Sequence, residues 1–193
     1  KELFKGLKIY DLWQDNNKYK VLRLNFSETK ADTYELFVYR FNEILKTAFI
    51  KSIPILCSYI FVGMAYGLMM NEAGFYWWHT LLISLVIYTG AFQFLLISFL
   101  QTGTPLFTIC LSALLINSRQ LFYSLTFIDD FNRMGKKKWY MIHTLTDETY
   151  AVNCTLPSQN KKDIMPWIAF FSRCYWMMGG LLGSFIGNQI GRA

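Results

Sequence analysis

From Ala73 to Ser118 the chain runs 46 consecutive residues without an Asp, Glu, Lys or Arg, although charged residues make up 17% of the whole. At about 1.5 Å of rise per helical residue, this stretch is long enough to cross a hydrocarbon core of roughly 30 Å twice. A bilayer is therefore the expected solvent. The expected fold class is an all-α polytopic integral membrane protein with broken or re-entrant helices, preceded by a short soluble α/β fragment.

Punctuation divides the apolar sequence. Gln101, Thr102, Gly103, Thr104 and Pro105 form a polar break, since Pro lacks an amide donor and Gly accepts unusual backbone angles. On either side lie apolar segments at 75–100 and 106–128, the second carrying Asn117, Ser118, Arg119 and Gln120. Further spans are expected at 53–70 and at 164–190, the latter with Arg173 inside it. The aromatic run Phe75, Tyr76, Trp77 and Trp78 suits a membrane interface, and the isolated His79 and His143 suit interfacial hydrogen bonding.

Residues 1–46 hold half of all the charged side chains and read as a soluble strand-helix fragment, with 47–193 as the membrane domain. Val21 to Phe26 alternates in the manner of a strand. The positions Tyr34, Phe37, Val38, Phe41, Ile44 and Leu45 follow a helical period, with Asp32 and Glu35 as a capping box. One strand and one helix bury no core of their own. A chain that opens on Lys1, with no basic-then-apolar signal peptide there, and stops after Gly191, Arg192 and Ala193 is read as a fragment, with a genuine short adaptor ahead of the membrane part as the alternative.

The net charge of +6 points to lipid and orientation rather than to nucleic acid, because basic residues gather beside the spans, as at Arg133 and Lys136 to Lys138. Cys57, Cys110, Cys154 and Cys174 lack metal spacing and are read as free thiols; no metal and no cofactor is expected. Orientation presents a conflict. Arg40, Lys46 and Lys51 place the N-terminal side in the cytoplasm, yet three simple crossings would carry the basic 129–138 segment outside. The conflict disappears if either 75–100 or 105–128 is re-entrant or consists of two short pieces.

Polar groups inside the apolar spans are the candidate site. Arg119 within Ile116 to Leu125 is either a bidentate ligand for a substrate carboxylate or half of an internal ion pair, with Asn117 beside it. Asp147 and Glu148 in LTDETYAV supply the countercharge and the candidate proton or counterion site, on a segment that either dips into the membrane or lies at its surface. Thr89 and Gly90 break the middle of an apolar run, and Gln93 follows within a turn. Such interruptions line cavities in transporters, with a plain kink as the alternative. Gly63 and Gly67, and Gly179, Gly183 and Gly187 (with Gly191), recur every fourth residue and are assigned to close helix packing.

These segments resemble a known family. From about Ile44 onward, IPILCSYIFVGMAYGLMM, YTGAFQF, INSRQLFYSL, LTDETYAV and CYWMMGGLLGSFIG occur in the order of the AzlC-type branched-chain amino acid permeases, the large subunits of two-component amino acid exporters. The resemblance implies a non-enzymatic, multi-pass subunit in a bacterial inner membrane. Such a subunit works with a small AzlD-type partner to export valine, leucine, isoleucine or a similar amino acid by ion-coupled secondary transport. It also implies further C-terminal apolar sequence than the chain contains. KELFKGLKIYDLW and KYKVLRLNFSE resemble part of AAA-ATPase-like proteins, but no GxxxxGK[ST] phosphate loop is present, so no ATPase activity is expected. The alternative function is an inactive chimera of that fragment with an incomplete permease.

Overall fold

The computed structural model describes residues 34–158 and 160–190. The strand expected at 21–26, the AAA-ATPase-like resemblance, the Asp32 cap and Gly191 lie outside the described residues. The chain divides into two compact units, Lys1–Val38 and Tyr39–Ala193. Of the first, only the opening turn of α1 is described, and everything below concerns the second.

Every regular element among the described residues is a helix. α1 (Tyr34–Glu72) runs unbroken past residue 46, through Pro54. α2 (Trp77–Val86) and α3 (Gly90–Thr102) are separated by three non-helical residues, and α4 (Leu106–Thr126) follows after the Gly103 turn. Then come α5 (Ile128–Arg133), α6 (Lys137–Thr144), α7 (Asp147–Cys154) and α8 (Lys161–Ile190). The polar quartet 117–120 does not interrupt α4. None of its members removes a backbone donor, so the helix carries them as side chains rather than as a break. By length and apolar composition, α1 and α4 are each able to cross a membrane.

α1 and α8 run side by side in the same direction. Phe41 meets Trp167, Phe49 meets Phe171, and the Ser52 and Tyr175 hydroxyls lie 2.9 Å apart. Farther along, glycines face glycines. A Cβ on Gly63 would lie 3.1 Å from the Gly179 Cα, one on Gly179 would lie 2.8 Å from the Tyr59 carbonyl, and one on Gly187 would meet Asn71 at 3.0 Å. A Cβ on Gly67 or Gly183 would overlap the Gly180 and Met64 carbonyls respectively. The two backbones therefore approach as closely as absent side chains permit.

α2 runs against α8. Trp77 stacks on Phe185, the Thr80 and Ser184 hydroxyls are 3.0 Å apart, and Arg173 donates to the Leu85 carbonyl. After the break the chain reverses. α3 and α4 form an antiparallel pair in which Thr89, at the start of α3, lies 3.4 Å from Gln120 of α4. α4 then continues toward the first turn of α8, where Lys161 sits over the Phe127 ring at 4.4 Å. Thus α2 enters from the end of the bundle opposite Lys161, and α3 returns to that same end.

A second hairpin enters from the other end. α6 starts beside α5, at the end that holds Arg133, Lys136 and Lys161, and rises until Thr146 bonds to Tyr59 of α1 at 2.6 Å. α7 then descends alongside α4, since Asp147 pairs with Arg119 while Tyr150 stacks on Tyr123 and packs on Phe127. Of the two segments whose interruption would reconcile the charges, 75–100 is the one that consists of two short pieces folded back on each other. With it folded back, 129–138 lies at the same end as Lys46 and Lys51.

Candidate functional site

The tips of the two hairpins meet in the interior. Ile87, Tyr88 and Thr89 form one tip, where α2 stops and α3 begins, with Ile87 and Thr89 in extended conformation. An extended backbone cannot continue the helical ladder, so its polar groups need other partners. Gln93 supplies one by donating from Nε2 to the Ile87 carbonyl, while its Oε1 accepts from Trp176 Nε1 at 2.9 Å. The Leu85 carbonyl, left over at the end of α2, accepts from Arg173, whose guanidinium also lies 5.5 Å from the Tyr88 ring centre. A cation at a helix C-terminus is favourably placed against the helix dipole.

The other tip is Leu145–Thr146. Here α7 restarts on a reciprocal cap, in which Thr149 Oγ1 accepts from the Thr146 amide at 2.8 Å and Thr146 Oγ1 faces the Thr149 amide at 3.4 Å. TDET carries this capping signal in its own residues. Asp147 and Glu148 occupy the first turn, where carboxylates complement the dipole. Tyr59 donates to Glu148 Oε2 at 2.8 Å, and Arg119 pairs with Asp147 Oδ2. Hairpin tip, α1 and α4 are thereby joined through two carboxylates.

Between the tips lies a cavity of about 270 Å³. That is a little below the roughly 300–1,000 Å³ typical of sites for drug-sized ligands, and suits a smaller molecule. One wall is apolar (Val62, Ala91, Phe94, Trp176), and the other holds Tyr59, Thr146, Asp147, Glu148 and Arg119. Gly90 belongs to the lining for a steric reason: a Cβ there would lie 2.9 Å from the Trp176 ring.

The residues singled out from sequence fall in three places. Thr89, Gly90, Arg119, Asp147 and Glu148 come together in the cavity lining. Gln93 stands behind the lining, fully buried, where it braces the tip and Trp176. Asn117 is not among the lining residues, and its Oδ1 is buried without a partner. Gly63, Gly67, Gly179, Gly183 and Gly187 lie in the α1–α8 contact. Sequence reasoning passed over Tyr59, Tyr88, Thr146 and Trp176. Aromatics in apolar spans read as packing, and the one signal that would have found Thr146 is the TDET capping pattern. His79 accepts the Tyr76 amide at 3.1 Å, capping α2.

Comparison with known proteins places this chain in a family. The chain matches the family described as AzlC protein over residues 54–190. It is 34% identical over 155 residues to a protein of Helicobacter pylori named "Uncharacterized membrane protein", covering 79% of this chain and 68% of that one. It is 30% identical over 151 residues to the "Branched-chain amino acid transport protein AzlC" of Bacillus subtilis, covering 75% and 58%. It is 32% identical over 145 residues to the "Inner membrane protein YgaZ" of Escherichia coli, covering 72% and 59%. The chain thus spans some 58–68% of the length of these relatives. No solved structure matches it. With a family match that takes in α2 to α8 and most of the span before them, the chain belongs to the AzlC family.

Proposed function

We propose that the chain is a multi-pass inner-membrane subunit that exports branched-chain amino acids, such as valine, leucine or isoleucine, by ion-coupled secondary transport with a small AzlD-type partner. The observation that carries this reading is the cavity between the tips of two opposed short hairpins. Unwound backbone at the middle of an apolar bundle is tolerated where it lines a cavity, and a fixed central site between elements entering from opposite sides is the arrangement alternating access requires.

Other features support it. α4 has no buried residue, and Phe107, Leu114, Leu121 and Leu125 are exposed, as suits a helix facing lipid. The end that carries Arg133, Lys136 to Lys138, Lys161 and Lys162 fits the cytoplasmic side. The name of the Bacillus relative supplies the substrate class, and the apolar wall formed by Val62, Phe94 and Trp176 suits an aliphatic side chain. Such a wall separates neighbouring aliphatic substrates by only about 1–3 kcal/mol per methylene, so several are accepted.

The test is efflux of branched-chain amino acids from peptide-loaded bacterial cells expressing the chain with an AzlD-type partner, beside Arg119→Ala at equal membrane expression. Efflux by the parent chain that Arg119→Ala abolishes is expected, because the substitution leaves Asp147 without its cation and unties α4 from the hairpin tip. Absence of efflux beside an active full-length relative would overturn the reading.

A further inference from the structure

We propose that the cavity holds its amino acid in one orientation, with the carboxylate at the uncapped start of α3 beneath the Tyr88 hydroxyl and the ammonium at Glu148 and the free oxygen of Asp147. The inference rests on the amino acid reading above and adds the direction in which the substrate lies.

Charge decides first. The lining contains two carboxylates, Asp147 and Glu148, and one cation, Arg119. Arg119 is already paired with Asp147, so side-chain charge in the cavity favours a cationic group. A substrate carboxylate needs donors at the other tip, where the Arg173 guanidinium lies 5.5 Å from the Tyr88 ring centre. α3 provides them: its first internal bond runs from the Gln93 amide to the Thr89 carbonyl, so the amides of Gly90, Ala91 and Phe92 precede the ladder. The Thr89 side chain makes no cap, and the first turn of α3 contains no acid. α7 differs in both respects, with its Thr146 cap and its own Asp147 and Glu148. Of the two helix starts at the cavity, only that of α3 keeps its positive dipole end uncompensated.

Two orphaned polar atoms point independently to a ligand with two ends. Tyr88 lines the cavity and is only 4% exposed, and its hydroxyl, which faces Tyr59 and Glu148, has no partner at hydrogen-bond distance. Asp147 Oδ1 is likewise buried without a partner. Buried polar groups without partners are uncommon because each loses its hydration uncompensated. One orphan is able to donate and belongs to the α2–α3 tip; the other is an acceptor and belongs to the α6–α7 tip. A zwitterion satisfies both, while Val62, Phe94 and Trp176 receive its side chain.

The experiment is calorimetric titration of the purified full chain, and of Tyr88→Phe and Glu148→Gln, with leucine, 4-methylpentanoate and 3-methylbutylamine. The latter two lack the ammonium and the carboxylate respectively. The wild type is expected to bind leucine at least about tenfold more tightly than either one-ended analogue. Tyr88→Phe is expected to weaken leucine by about tenfold and leave the amine unchanged. Glu148→Gln is expected to weaken leucine and the amine but not 4-methylpentanoate. Equal weakening of leucine and amine by Tyr88→Phe, or unchanged leucine binding in both variants, overturns the orientation alone. If a variant lacks a cooperative thermal transition, the wild-type series decides, and 4-methylpentanoate binding as tightly as leucine overturns the proposal. A folded wild type that binds none of the three overturns the amino acid reading together with it.

Discussion

A methyl group added at Gly183 would overlap the Met64 carbonyl, whereas one added at Gly187 would meet only the Asn71 side chain, at 3.0 Å. Backbone cannot yield as a side chain does, so Gly183→Ala is expected to destabilise the protein by about 1–3 kcal/mol and Gly187→Ala by less. Thermal unfolding in detergent measures the order of the two, and the reverse order would contradict the α1–α8 contact described. Gln93→Leu leaves the buried Trp176 indole and the Ile87 carbonyl without their partner. It is expected to cost about 1–3 kcal/mol in the same measurement. At this scale the periodic glycines were legible from spacing alone. Gln93 was legible as a polar residue in an apolar run, but its position behind the cavity follows from Trp176, which lies 83 positions away in the chain.

The two hairpins differ in how their second helices start. α7 has its cap and its acids in TDET, while α3 has a bare start after an extended tip. Thr146→Val removes both the α7 cap and the bond to Tyr59. A cost of about 1–2 kcal/mol is expected, seen as a lowered thermal midpoint, together with a larger loss of efflux because Tyr59 also holds Glu148. Unchanged efflux at matched expression would show that the tip does not depend on this bond. The break at Thr89 and Gly90 was visible as a polar pair in an apolar run. The reversal of direction at the break was legible only as one of the options left open by the charge pattern, since a kinked crossing and a hairpin share the same hydropathy. The polar quartet in α4 is the converse case: a local signal of interruption that the helix absorbs.

For the molecule as a whole, the direction of the α2–α3 hairpin sets the topology. In membranes of cells producing a chain with Cys57, Cys110, Cys154 and Cys174 replaced, Tyr76→Cys and Gln101→Cys are expected to react with an impermeant maleimide from one side and Lys136→Cys from the other. A simple crossing by 77–102 would instead put residues 76 and 101 on opposite sides, so labelling distinguishes the two outright. By itself the sequence determined the solvent, the helical class and the approximate limits of the apolar segments. These depend on composition and period, which act over a few turns. It also marked the polar residues that apolar spans do not carry without reason. Only the tertiary structure decided that two short hairpins enter the bundle from opposite ends, that Arg119 meets Asp147, and that Tyr59, Tyr88 and Trp176 line the space between the tips. Those facts depend on which distant segments α1 and α8 bring side by side, and a close approach of two backbones is a property of pairs of helices, not of either one alone.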